Sequence, residues 1–193
     1  RNYLVSPFTL GISSAAALGA SLCIVLAAGT ALDSDLGIIT SAFLLSCACG
    51  LIVYGIAQRS GLSPTTIVLV GIALNYFFSA LTATLEFFAQ EHKLAAVIQW
   101  TFGSLHRASW EYVAIGGVIV ALGIAAALFY ALPLNVMAVS DDETARSLGV
   151  NPARIRNIAI VAATILTALS VTACGIVGWV GLVIPHMCRR MVG

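Results

Sequence analysis

SDDETARSLGVNPARIRN, Ser140 to Asn157, is the one long polar stretch in an otherwise apolar chain, and its reading decides how the rest is arranged. Ser140 and Glu143 stand three apart, the spacing of a capping box in which hydroxyl and carboxylate satisfy the first free backbone N–H groups of a helix. Asp141, Asp142 and Glu143 place negative charge where the helix dipole favours it. Gly149 follows Leu148 at a point where a left-handed residue ends that helix. Asn151 and Pro152 then supply a cap and a first-turn proline for the next one. The stretch therefore reads as two short helices with a sharp turn between them. Because membrane-length apolar runs flank it, this elbow is a rigid projection into water, of the kind that transmits force or docks a partner.

The flanking composition is that of an integral membrane protein. Hydrophobic residues make up 60% of the 193 and charged residues 9%, with a mean hydropathy of +1.03, where soluble domains carry about 25% charge. A net charge of +1, dispersed in short loops, forms no basic stripe and gives no sign of a nucleic-acid partner. Cys23, Cys47, Cys49, Cys174 and Cys188 are odd in number, lack CxxC spacing and lie mostly in apolar runs, so they read as small buried hydrophobes rather than disulfides or ligands. The chain begins at Arg1 and stops at Gly193 just after an apolar run, and reads as an internal piece of a longer frame.

A hydrocarbon core of ~30 Å needs ~20 apolar residues per helix. Phe8 to Leu32, Leu36 to Gln58, Ile67 to Leu85 and Val113 to Leu132 meet that length, and Ile158 to Ile184 exceeds it, so the last run contains more than one element. If the first residues are cytoplasmic, the inner loops hold Arg1, Arg59, Arg146, Arg154 and Arg156 and the outer loops only Lys93 and Arg107. The positive-inside rule favours that orientation, with the elbow inside and Gln90 to Trp110 outside. In the last run Gly175, Gly178 and Gly181, followed by Pro185, weaken the helix. A sharp reversal there carries Arg189 and Arg190 back inward.

Small residues recur every four positions in two segments. Gly11, Ala15 and Gly19 make a face for close helix packing. Gly71, Asn75, Ser79 and Ala83 make a similar face that is partly polar, which either packs on another helix or lines a wet pathway. The inner loop before it, QRSGLSPTT, is turn-rich. Outside, Trp100 and Trp110 read as interfacial anchors and Leu94 to Trp100 as a short amphipathic surface helix. Lys93, Arg107 and Glu111 are the exposed charges there. His92, His106 and Glu91 match no metal-site spacing, and His186 has no accompanying acid, so a structural hydrogen bond is its simpler reading.

Taken together, RNYLVSPFTLGISSAAALGA, VLVGIALNYFFSAL, IQWTFGSLHRASW, ARSLGVNPARIR and GIVGWVGLVIPHMCRRMVG resemble, in the same order along nearly the whole chain, the FecCD/BtuC-type permeases. These are membrane subunits of bacterial ATP-binding-cassette importers for iron chelates, haem and cobalamin. The resemblance implies an all-α polytopic transmembrane bundle, with about six membrane elements here of about ten in the full family fold. Residues 1–193 then form one partial permease domain, and 140–157 is its cytoplasmic coupling elbow. It implies a multi-pass protein of the bacterial cytoplasmic membrane that works as a homodimer or paired permease. Two ATPase subunits would dock inside and an extracytoplasmic substrate-binding protein outside. ATP and Mg would bind the partner ATPase, with no cofactor, metal or catalytic residue in this chain. By the same resemblance Glu143, Ala145, Arg146, Leu148, Gly149 and Val150 enter a cleft of the ATPase. Asn75, Ser79 and Thr82 line the translocation pathway, Ser63, Pro64, Thr65 and Thr66 lie at the inner gate, and Lys93, Arg107 and Glu111 meet the binding protein.

Three other functions compete with that reading. An intramembrane enzyme built on His186 or Glu86 needs a nucleophile, acid or metal set that the sequence does not assemble. An ion-driven transporter needs acids at membrane depth, which the four clear spans lack. A permease relative that acts only as a sensor needs an elbow unable to dock an ATPase, and the elbow here is intact.

Overall fold

The computed structural model describes residues 10–27, 34–59, 64–103 and 110–176, with 183, 184, 187, 188, 190 and 191; at 64, 111–113 and 115 it describes the backbone alone. The described residues form helices and no strand: α1 Ile12–Leu26, α2 Asp35–Arg59, α3 Pro64–Phe88, α4 Glu91–Phe102, α5 Trp110–Phe129, α6 Ala131–Val139, α7 Asp142–Ser147 and α8 Pro152–Cys174. Three of them, in α2, α3 and α8, are long and apolar enough to cross a membrane. The apolar runs are continuous over the ~20 residues a bilayer core requires.

The run Val113 to Leu132 differs from its expected single straight span. α5 ends at Phe129 and α6 leaves it at 58°, so the run is a bent pair of helices rather than one straight span. Pro133 is the cause. It has no N–H to offer the Phe129 carbonyl, and the regular bonds from Tyr130 N–H to Ala126 O and from Leu134 N–H to Tyr130 O, 3.0 Å each, flank that gap.

α1 also differs from its expected length. Its helix covers Ile12–Leu26, 15 residues, or about 22 Å of rise, and residues 28–33 lie outside the described set. A helix this short suits a position enclosed by others, and α1 packs on α2, α3, α4 and α8. Ile12, Ala15 and Leu18 meet Cys49 and Val53 of α2 and Phe78 of α3. Ala16, Ala17 and Ala20 meet Ala42 of α2, Trp100 of α4 and Val171 of α8. The stripe of small residues is what admits these neighbours. A Cβ on Gly19 would lie 2.5 Å from Ser41 O of α2. The same approach lets the Ser41 hydroxyl donate to Gly19 O at 2.9 Å and Ser46 to Ile12 O at 3.2 Å. Such close backbone packing and interhelical hydrogen bonding replace the hydrophobic drive that lipid removes.

α2 and α8 are joined as closely. A Cβ built on Gly50 would collide with Cγ2 and Cβ of Thr164, a branched side chain with little rotamer freedom. Gly50→Val is therefore expected to destabilise the bundle by about 1–3 kcal/mol. The same change at Gly55, where a Cβ meets nothing within 4 Å, is the control. Thermal unfolding of the two variants in detergent checks this, and equal midpoints would contradict the packing.

The bundle has two dissimilar ends. At one, the end of α2 lies beside the start of α8, and Arg59, Arg146, Arg154 and Arg156 gather there. At the other, α4 packs under the end of α1, and Gly103, just past α4, touches Gly175, just past α8. Gly175, with φ 76°, ends α8 inside the long last apolar run, as its glycines suggest. Gly178, Gly181, Pro185, His186 and Arg189 lie outside the described residues, and the reversal expected there with them.

Candidate functional site

The elbow is built almost entirely from local chemistry. α7 ends in a paired turn: Val150 N–H bonds Ala145 O at 2.9 Å and Gly149 N–H bonds Arg146 O at 3.0 Å. This pattern requires a left-handed residue between them, which Gly149 supplies at φ 80°. Asn151 then caps α8, its Oδ1 accepting from Arg154 N at 3.2 Å, and Pro152 opens that helix. The capping box is corrected. Asp141 rather than Ser140 caps α7, its Oδ1 accepting from Thr144 N at 3.3 Å. Ser140 closes the preceding helix α6 instead, donating to Val136 O at 2.6 Å. Hydrogen bonding from Thr144, side chain first and backbone second, holds the Asp141 carboxyl below its usual range.

An ion pair joins the two elbow helices, the second of which is the 23-residue α8 rather than the short helix expected. Arg156 of α8 grips Asp142 of α7 with both guanidinium nitrogens, at 2.9 and 2.7 Å. The two-point geometry fixes orientation as well as distance. Arg156 read from the sequence as a topology signal and Asp142 as a helix-dipole charge, because the pairing exists only once the turn is made.

The apex presents Glu143, Arg146, Leu148 and Gly149 to the outside, and Leu148 is 64% exposed. Two apex expectations are corrected. Ala145 is 1% exposed and faces inward, and Val150 is half-buried.

Along α3, Gly71 packs against Gly11 of α1, where a Cβ on Gly11 would lie 3.0 Å from Gly71 O and 3.1 Å from Asn75 N. Asn75 is half-buried and Ser79, one turn on, is exposed. The two lie along one edge of the face that this chain leaves open, beside exposed Ile72, Tyr76 and Ala83. Thr82 is elsewhere. It is 7% exposed on the same side as Phe78, to whose carbonyl it donates at 3.0 Å, so it belongs to the packed face rather than the open one. At the start of α3, Thr65 is exposed and Thr66 half-buried, with Pro64 as the first helical residue. Ser63 lies outside the described residues.

At the other end, the expected surface helix is longer and partly internal. α4 runs Glu91–Phe102. Trp100 is 6% exposed within the alanine cluster of α1 and α2, whereas Trp110 is 88% exposed. Lys93 is not a free charge: its Nζ donates to Val25 O at 2.7 Å in a partly buried setting. A cation at the last carbonyls of α1 also suits that helix's dipole. Glu111 falls in the first turn of α5, and Arg107 lies outside the described residues.

A further pair of polar side chains was not singled out by the sequence. Gln58 Nε2, at the end of α2, donates to Asn157 Oδ1 of α8 at 2.8 Å. The available signal was that both residues end an apolar run on the same side of the membrane.

Comparison with known proteins gives one answer along the whole chain. The chain is 32% identical to the cobalamin import system permease protein of Halobacterium salinarum, covering all of this chain and 51% of that one. It is 32% identical to the Fe(3+)-citrate import system permease protein of Bacillus subtilis, again over all of this chain and 56% of the relative. A solved metal-chelate type ABC transporter, in an inward-facing conformation, superposes with a TM-score of 0.88 at 33% identity, over 100% of this chain and 60% of that one. The chain thus spans about half the length of these curated relatives. The model of the FecCD transport family matches residues 1–193, and the chain belongs to that family.

Proposed function

We propose that this chain is the membrane-spanning part of a permease subunit of an ATP-binding-cassette importer that carries a metal chelate into the cytoplasm, and that it hydrolyses nothing itself. The elbow carries the reading. A turn capped at both helices, locked by a two-point ion pair and ending in an exposed leucine is suited to transmit a push without deforming. Residues 140–157 dock a partner ATPase through Glu143, Arg146, Leu148 and Gly149, and ATP and Mg bind in that partner. The arginines at the elbow end support a cytoplasmic position for it and a bacterial cytoplasmic membrane as the location. Asn75 and Ser79 line the pathway, Ser63 to Thr66 lie at its inner gate, and Arg107 and Glu111 face a substrate-binding protein outside. The open, partly polar face of α3 is covered by a second permease across a dimer axis.

The named relatives import ferric citrate and cobalamin, which supports an iron chelate such as a ferric siderophore, or cobalamin, as the cargo class, with haem as a third candidate. The test is ATP-dependent uptake by the complete permease, reconstituted in liposomes with its ATPase and binding protein and offered labelled ferric siderophore, haem and cobalamin in parallel. Uptake of one of them that requires ATP is the expected result. Its absence for all three, with the complex assembled, would reject the importer reading.

A further inference from the structure

The elbow is connected to the start of α3 by a short series of polar and close-packed contacts. Asp142 of α7 is held by Arg156 of α8. The next residue, Asn157, accepts a 2.8 Å hydrogen bond from Gln58 in the last turn of α2, 99 positions away in sequence. Two turns deeper, Gly50 of α2 and Thr164 of α8 pack with no room for a Cβ. α2 and α8 are thereby fixed to one another at two heights. Residues 60–63 are all that separate Arg59 from Pro64, the first residue of α3. Five Cα–Cα steps reach at most about 18 Å when fully extended, and α2 packs directly on α3, so a displacement of the end of α2 bears on the start of α3.

We propose that the Gln58–Asn157 hydrogen bond is the joint through which movement of the elbow reaches the inner end of α3, with Gln58 and Asn157 as positioning residues for import. The proposal rests on the importer reading above. The geometry is specific to the task. The bond sits at the helix ends, where a lateral push on α8 has its longest arm about the Gly50–Thr164 contact. It joins the two helices that flank the elbow and the gate respectively. Both side chains are neutral, so the joint transmits position and leaves the arginine charges to topology and to the elbow lock.

The experiment uses the complete permease with its ATPase and binding protein in liposomes. Gln58→Ala, Asn157→Ala, the double variant and the exchange Gln58→Asn with Asn157→Gln are compared for ATPase capture, hydrolysis rate and substrate imported per ATP. Each single variant is expected to capture the ATPase as wild type does, yet to import about 2- to 10-fold less substrate per ATP, the range that one lost hydrogen bond sets. The double variant should be no worse than either single one, and the exchange, which keeps an amide pair of the same total length, should recover most of the loss. An unchanged import-to-ATP ratio in both single variants would overturn the proposal. So would a fall in ratio that tracks a fall in ATPase capture, since the bond would then only support the elbow's fold. A wild-type protein that captures no ATPase would instead reject the importer reading itself, and the joint with it.

Discussion

Leu148→Asp is expected to abolish ATP-driven uptake while leaving the membrane helices folded. Leu148 is 64% exposed at the apex of a turn whose backbone is fixed by its own hydrogen bonds. A substitution at such a site changes stability by no more than about 0.5 kcal/mol. In the proposed complex with the ATPase the same side chain is the largest apolar group at the tip of the elbow, and a carboxylate carried into a protein cleft without a partner must be desolvated. A loss of about 2 kcal/mol or more, or roughly 30-fold in affinity for the ATPase, is the expectation for a central anchor. Capture of the ATPase by the permease, measured beside its thermal unfolding, separates the two effects. Loss of capture with an unchanged unfolding midpoint supports the account, and full capture by the variant removes Leu148 from the interface.

Trp100→Ala has the largest expected cost in stability. The indole is 6% exposed among Ala16, Ala17, Ala20, Ala42 and Val171, so one large ring fills a space lined by small side chains from three other helices. Those alanines cannot extend into the space it would leave. Because lipid is as apolar as the site, the loss is mainly of packing rather than of transfer from water. The cost is then near the lower end of the 3–5 kcal/mol seen for large aromatic truncations, about 3 kcal/mol. Trp110→Ala, at a ring that is 88% exposed, is the matched control. Unfolding in detergent should separate the two variants clearly, and equal midpoints would mean that α4 contributes little to holding α1 and α8.

What was legible in the sequence was what depends on neighbours within a few residues. The elbow's turn follows from Gly149, Asn151 and Pro152, each acting on backbone within three residues of itself, and all three act as their types suggest. The cap was misplaced by one residue because Ser140 and Asp141 are both good caps, and only the end of α6 at Val139 decides that Ser140 is already engaged. The span of α2 follows from its apolar run, α3 extends three residues beyond its run at each end, and α8 is bounded by its cap at Asn151 and by Gly175 rather than by the run. The break before Pro133 was visible as a proline, yet its 58° angle depends on how α6 lies against α7 and α8.

The features that escaped are those made by tertiary proximity. Lys93 read as an exposed charge, since nothing local shows that the end of α1 lies within reach of its amine. Trp100 read as an interfacial anchor for the same reason, and Thr82 as pathway lining, because both judgements require knowing which side of a helix is covered. The pairings Asp142–Arg156 and Gln58–Asn157 are absent from any local pattern. The first needs the turn to bring two helices together, and the second joins residues 99 apart.

The most direct test of the account places a photo-crosslinking side chain at position 148 of the complete permease and illuminates the transporter assembled with its ATPase in liposomes. The account predicts a crosslink to the ATPase that forms in high yield and stops ATP-dependent uptake. Uptake that continues at the wild-type rate, with no crosslink between position 148 and the ATPase, would contradict it.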